Sequence, residues 1–487
     1  MLKWTSTTIK TQEVTFMFYC DNLKIRDTYG RERIFRGINL CVKKHLANGH
    51  MVQKMLLKDS LFEDMASAGV NIVRLGITWA AIEPHEGKYN DELISALKEF
   101  IHKCAENNIY VMFDMHQDLF SHHFHGDGAP KWVIDSSYKN PHQYAIWAEG
   151  YFYMQGVQNA FYDFWINRNN IQTKFIKMWK YVADKLSDCD NIIGLDYLNE
   201  PYIHKDGRKV FLTLASNVIK TVYGKDVEFD EYFKNCKDKT GFAKMSIKIY
   251  SFIRTRKGLH KLLSTMDSEE KFYNSINGLE KYTTEFNSDY YQPFFDNACE
   301  KINKKGIFNI FEHNYYANMG LPFEINVKKN DIYSPHAYDI FVDSPLYNKY
   351  ASNHRINAIL SIIRKNQLNM NVPIIFGEWG GGAPGHEWLR HIDFIMGEFE
   401  KYHWSNIYWG FNFKNEELKD IFNRPYPVAV CGDIDEIHTD SKNRKFTLKW
   451  TCKKNFSENV RTEIYVPNKG IVPYENKIGY NEIQIEY

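Results

Sequence analysis

Two glutamates each close a short β-like run: Glu200 in Asp196-Tyr-Leu-Asn-Glu-Pro201, and Glu378 in Pro373-Ile-Ile-Phe-Gly-Glu-Trp-Gly380. A pair of carboxyl groups can break an acetal by double displacement. One protonates the departing oxygen while the other attacks the anomeric carbon. Two identical side chains can divide these roles only if their surroundings separate their pKa values. An isolated glutamate is more often a solvated loop acid, so the neighbours decide. Asn199 precedes Glu200 and offers an amide to a sugar 2-hydroxyl, a contact that strengthens in the transition state. Glu378 stands in Gly377-Glu-Trp-Gly-Gly-Gly382, where glycines let backbone and substrate approach closely.

Further polar or aromatic residues lie in or close similar runs: Arg74, His116 with Asp118, His336 with Tyr338, and Trp409. Arg74 could hold the Glu378 carboxylate through a charge-assisted bond, and Tyr338 could donate to it. Trp409 could floor the first sugar ring. Taken singly, each has an ordinary alternative: a buried ion pair for Arg74, a satisfied core histidine for His116, core packing for Trp409. Their joint placement at run ends favours a shared site.

The runs themselves are Arg33–Leu40, Asn71–Trp79, Tyr110–Gln117, Asn191–Leu198, Gly306–Glu312, Asp331–Tyr338, Pro373–Trp379 and Ser405–Phe413. Near-continuous hydrophobicity marks strands buried on both faces of a parallel sheet. Between the second and third, Leu93, Ile94, Leu97, Phe100, Ile101 and Cys104 recur at helical spacing. Eight strands alternating with helices predict a (β/α)8 barrel, whose chemistry sits at the C-terminal strand ends. The barrel is expected over residues 1–422, with long insertions at 118–190 and 202–305. The first insertion carries the aromatic stretch Tyr144–Trp165. From 423 to 487 short alternating runs (Lys445–Cys452, Arg461–Val466, Asn481–Tyr487) predict an antiparallel β-sandwich module.

Composition narrows the function class. Sixty-one Lys and Arg against 60 Asp and Glu leave a net charge of +1, so no global field points to nucleic acid or an anionic membrane. Aromatics reach 16%, which suits both sugar platforms and a large core. The eight cysteines form no Cys-x-x-Cys, and no cofactor or metal is expected. No stretch approaches the roughly 18 apolar residues of a membrane span, and the first residues lack the roughly 7–15-residue apolar core of a secretory signal.

Arg74, His116, Asn199-Glu200-Pro201, His336-x-Tyr338, Glu378 and Trp409 together resemble the pattern of glycoside hydrolase family 5. Within it, Arg36-Gly-Ile-Asn-Leu-Cys-Val-Lys43, Asp114-Met-His-Gln-Asp-Leu-Phe-Ser121, Gly126-Asp-Gly-Ala-Pro-Lys-Trp132 and Arg424-Pro-Tyr-Pro-Val-Ala-Val430 are similar to the endoglycoceramidase group. The resemblance implies cleavage of the β-glycosidic bond between glycan and ceramide, with a glycosphingolipid partner at a membrane or micelle surface. It implies Glu200 as acid/base and Glu378 as nucleophile. Lys43, Asp118, Asn199, Tyr338 and Trp409 would hold the first sugar, supported by Arg74, His116 and His336. Part of the aromatic stretch Tyr144–Trp165 is the candidate lipid groove. The chain departs from the group at Phe311-Glu-His-Asn-Tyr315, where Glu-Pro is usual, and at Trp409-Gly-Phe-Asn-Phe413. The alternatives are a family 5 β-glucosidase acting on glucosylceramide, a steryl glucoside or a β-glucan, and a non-catalytic glycolipid-binding protein. A secreted or lysosomal location is implied, against which the absent signal sets a cytosolic location or a truncated gene model.

Overall fold

The computed structural model describes residues 17–43, 47–140, 144, 147–203, 207–229, 247–248, 251–302 and 306–487. Eight parallel strands surround a common axis: β1 (Arg36–Val42), β2 (Ile72–Thr78), β3 (Tyr110–His116), β4 (Ile192–Asp196), β5 (Phe308–Phe311), β6 (Asp331–Tyr333, resumed as His336–Ala337), β7 (Ile375–Gly380) and β8 (Ser405–Trp409). Each pairs in parallel with the next, and β8 pairs with β1. Pro335 interrupts β6 because it has no N–H to donate. The barrel nevertheless closes there, through the Tyr333–Ile374 bridge on one side of the break and the His336–Glu378 pairing on the other.

The predicted strands all form, several with shifted ends. The helical spacing after the second run becomes a helix over Asp91–Glu106. It is capped by Asn90, and Leu93, Ile94, Leu97, Phe100, Ile101 and Cys104 are buried against the barrel. Among the described residues no helix is long and apolar enough to cross a membrane.

Beyond the barrel stands a β-sandwich. Its smaller sheet contains Asp433–Asp440, Lys445–Cys452 and Gly479–Glu486, all antiparallel. The larger sheet runs Phe18–Asp21, Lys24–Asp27, Glu32–Arg33, Tyr426–Val430, Thr462–Val466, Gly470–Tyr474. Three strands ahead of β1 thus complete the sheet expected from 423–487 alone, so the unit is not continuous in sequence. Ile434, Phe446, Leu448, Trp450, Val428, Val430 and Ile464 fill the space between the sheets. The sandwich is bolted to the barrel. The Tyr426 and Tyr465 hydroxyls each donate over 2.8 Å to the carbonyls of Gly69 and Ser67. The buried Arg36 guanidinium lies 4.0 Å from the centre of the Tyr426 ring.

Candidate active site

Strand ends deliver the predicted side chains to one cavity of about 550 Å³. Its wall includes Lys43, His116, Asp118, Glu200, Tyr338, Glu378 and Trp409. Arg74, Asn199 and His336 lie behind that wall and are almost wholly buried.

Glu378 accepts from Arg74 Nη1 at 2.7 Å and from the Tyr338 hydroxyl at 2.9 Å, one donor on each oxygen. Glu200 is held differently. His336 Nδ1 lies 3.0 Å from its Oε1, and the Asn318 amide donates to the same oxygen at 2.6 Å. A carboxylate oxygen from each glutamate and one ring nitrogen of His336 lie within 4.8 Å of one another. Glu200 has φ +43°, a left-handed backbone conformation that a long side chain seldom adopts. Its N–H donates to Glu312 Oε2 at 2.7 Å, and Gln117 Nε2 donates to its carbonyl at 3.1 Å, so the unusual turn is pinned from both sides.

The electrostatics follow from this packing. Burial pushes Glu200 above its ordinary value. His336 pulls it back, while Glu378 and Asp118 push it further up. Burial would lower His336 too, but Glu312, Glu378 and the bond to Glu200 outweigh it and raise the imidazole well above its usual range. Glu312 shows the opposite balance: burial raises it, yet His336 and Arg74 bring it down to about 2. Asp196 is raised well above an ordinary aspartate by burial and by Glu312, against the pull of Arg74.

Beneath the two glutamates, Arg74 organises the floor. Nε donates to Asp196 at 3.0 Å, Nη1 to Asn39 at 3.2 Å, and Nη2 to Asn199 and Glu312 at 2.9 and 2.6 Å. Asp114 stands 3.0 Å from Nη2. Asn199 gives its oxygen to Arg74 and one amide hydrogen to the Gln117 carbonyl at 3.0 Å, which leaves a single hydrogen for a substrate hydroxyl. On the opposite wall, Lys43 Nζ donates to Asp118 at 2.5 Å and sits 4.5 Å from the centre of the Trp409 ring. That ring lies nearly parallel to His116, with centroids 5.5 Å apart. Acidic and imidazole groups also converge at His116–Asp118–Asp127 and at Asp114–Asp196–Glu312. In these two clusters the Lys43 ammonium and the Arg74 guanidinium supply the positive charge.

Sequence reasoning missed Glu312, Asp196, Asp114 and Asn318 as parts of this site. The first three were legible as acids closing or lining buried strands, the same signal that singled out Glu200. Asn318 lies in a short 3-10 turn (Tyr315–Met319) after β5, without a pattern to mark it. The aromatic stretch splits in two. Tyr151, Met154, Phe161, Phe164 and Trp165 are core, while Trp147, Ala148, Glu149 and Phe152 line the cavity beside Tyr315, Met319, Ile340 and Val342. The Trp147 indole also donates to Asp343 at 3.4 Å, bridging two cavity walls.

Residues 27–236 match the family model for cellulase (glycosyl hydrolase family 5), and residues 424–487 match that of the glycoside hydrolase family 5 C-terminal domain. An endoglycoceramidase from Hydra vulgaris is 29% identical over 202 residues, which are 36% of this chain and 38% of that protein. The match thus spans well under two thirds of the relative. The solved structure of endo-glycoceramidase II from Rhodococcus sp. superposes with a TM-score of 0.66 at 19% identity, covering 94% of this chain and 98% of that one. Sterylglucosidase 1 from Cryptococcus neoformans also superposes at 0.66, with 14% identity and 97% of both chains covered. Barrel and sandwich are shared with both solved structures, and the two matching models describe one family and between them take in more than half of the sequence. The chain belongs to glycoside hydrolase family 5.

Proposed function

We propose that this protein is a retaining endoglycosidase that hydrolyses the β-glycosidic bond between the glycan and the ceramide of glycosphingolipids. The observation that carries the reading is that one carboxylate oxygen of Glu200 and one of Glu378 lie within 4.8 Å of each other, both beside His336 Nδ1. Retaining enzymes hold such a pair at about 5–5.5 Å, whereas inverting enzymes leave about 6.5–9.5 Å for a water between them. The different partners of the two groups support a division of roles. Glu200, pushed up by burial, gives its proton to the glycosidic oxygen. Glu378, between Arg74 and Tyr338, attacks the anomeric carbon as the C–O bond breaks, so ceramide leaves with its hydroxyl restored and a glycosyl ester remains on Glu378. Glu200, now ionised, takes a proton from water, whose oxygen displaces Glu378 and frees the glycan with its original anomeric configuration.

The cavity wall is divided in a way that fits an amphipathic substrate. Lys43, Asp118, Asp127, His116 and Trp409 offer polar groups and a ring face to the first sugar. Trp147, Phe152, Met319, Ile340 and Val342 offer an apolar surface to the lipid. Similar proteins that include an endoglycoceramidase from Hydra vulgaris and the ganglioside GM3 complex of endo-glycoceramidase II from Rhodococcus sp. support the same substrate class.

The test is to incubate purified protein with a ganglioside, glucosylceramide, a steryl glucoside and a soluble cello-oligosaccharide, and to analyse released glycan and lipid. Release of intact oligosaccharide together with ceramide is the expected result. Turnover of the steryl glucoside or soluble glucan alone would overturn the substrate assignment while leaving the two-carboxylate chemistry in place.

A further inference from the structure

The departure from Glu-Pro after β5 puts His313 where a proline side chain could offer neither donor nor acceptor. His313 Nε2 lies 2.6 Å from Asn318 Oδ1, and its Nδ1 lies 2.9 Å from the Tyr333 hydroxyl. Asn318 Nδ2 in turn donates to Glu200 Oε1 at 2.6 Å. With its donor end directed at Glu200, Asn318 presents its carbonyl to the imidazole, whose other ring nitrogen meets the Tyr333 hydroxyl. The His336 backbone N–H also approaches Nε2, at 3.1 Å. Burial, reinforced by His336, pushes His313 down to about 3, so the ring stays neutral through ordinary pH. Tyr333 is wholly buried and lies nearly parallel to Phe311 and Phe323, at centroid distances of 5.4 and 5.9 Å. The far end of the chain is therefore anchored in the core.

We propose that Asn318, oriented by His313 and Tyr333, is a positioning residue that aims the Glu200 carboxylate and favours its ionised form in the second step. The proposal rests on Glu200 acting as acid/base. The titratable groups facing Glu200 are His336 and Tyr338 from β6 and the segment just after it, Glu378 from β7, Asp118 beyond β3, and the buried Tyr151 and Tyr315. Glu312 reaches it through the backbone N–H. Asn318 is an uncharged donor to the same oxygen that His336 approaches. A donor to a carboxylate favours its charged form, so its removal raises the Glu200 pKa and moves the alkaline limb of kcat/KM to higher pH.

The experiment compares Asn318→Ala, the isosteric Asn318→Asp and His313→Phe across pH, using a glycolipid and a dinitrophenyl glycoside whose leaving group needs no proton. Asn318→Ala is expected to lower kcat on the glycolipid about tenfold or more, with KM little changed, and to shift the alkaline limb upward. Asn318→Asp sets a like charge against Glu200, and so shifts the limb further. His313→Phe produces a smaller shift in the same direction. If the aspartate variant folds and lowers kcat with the limb unmoved or moved down, the proposal is overturned. Glu200→Gln separates the two levels: an alkaline limb that persists in that variant sinks the acid/base assignment itself.

Discussion

Arg74 touches Asn39, Asp196, Asn199, Glu312 and Glu378 through three nitrogens of one planar group. A lysine cannot reproduce that fork. Arg74→Lys is expected to cut kcat/KM at least a hundredfold by releasing Glu378 and Asn199 together, measured on any turned-over substrate. Arg74→Met leaves buried carboxylates without their cation and should cost about 3–5 kcal/mol in urea unfolding. The glutamates themselves give a sharper test. With an activated glycosyl donor, azide rescues Glu200→Ala as the β-glycosyl azide and Glu378→Ala as the α-azide, read by NMR. The reverse anomers would exchange the two roles. Because burial holds Glu200 up, the alkaline limb of the wild-type profile should lie above the ordinary glutamate range, and Glu200→Gln should abolish it.

At the scale of elements, the two cavity walls make separable predictions. Trp147→Asp removes an exposed indole and its bridge to Asp343 without opening the core. It should slow action on micellar glycolipid severalfold more than on a short-chain analogue. Equal loss on both would mean that this wall does not meet lipid. The barrel strands were legible because a strand buried on both faces leaves a nearly unbroken apolar run, and the polar residues that end it announce the site. The same logic pointed to Glu200, Glu378, His336 and Tyr338. It stopped short where no periodicity operates. Asn318 sits in a turn whose position depends on His313 and Tyr333, two contacts that no local spacing encodes. The orientation of Asn199 depends on Arg74 and on a backbone carbonyl of Gln117, both brought near only by barrel closure. The aromatic stretch could not be divided into wall and core because its helices bury one face and show the other, and aromatics occupy both. Phe18–Asp21 and Lys24–Asp27 are only 4 residues each, too short for alternation to identify.

At the scale of the whole molecule, sandwich and barrel share an interface of specific bonds. Thr439 Oγ1 donates to Glu400 at 2.9 Å, Arg424 pairs with Asp393, and Tyr426 covers the Arg36 guanidinium. One cooperative thermal transition is therefore expected by calorimetry, and Tyr426→Leu should lower its midpoint by several degrees, since it uncovers a buried cation. Two resolved transitions would show that the units fold independently. The sheet that joins Phe18–Arg33 to Tyr426–Tyr474 also has a consequence for synthesis. At about 5–20 residues per second, the earliest strands wait on the order of tens of seconds for their partners to leave the ribosome. Through that interval an N-terminal hairpin presents an unpaired edge while the entire barrel is being made. The nascent chain thus has a built-in period of vulnerability to edge-to-edge association. A permuted gene in which 424–487 precedes residue 17 would close that interval and should raise the soluble yield.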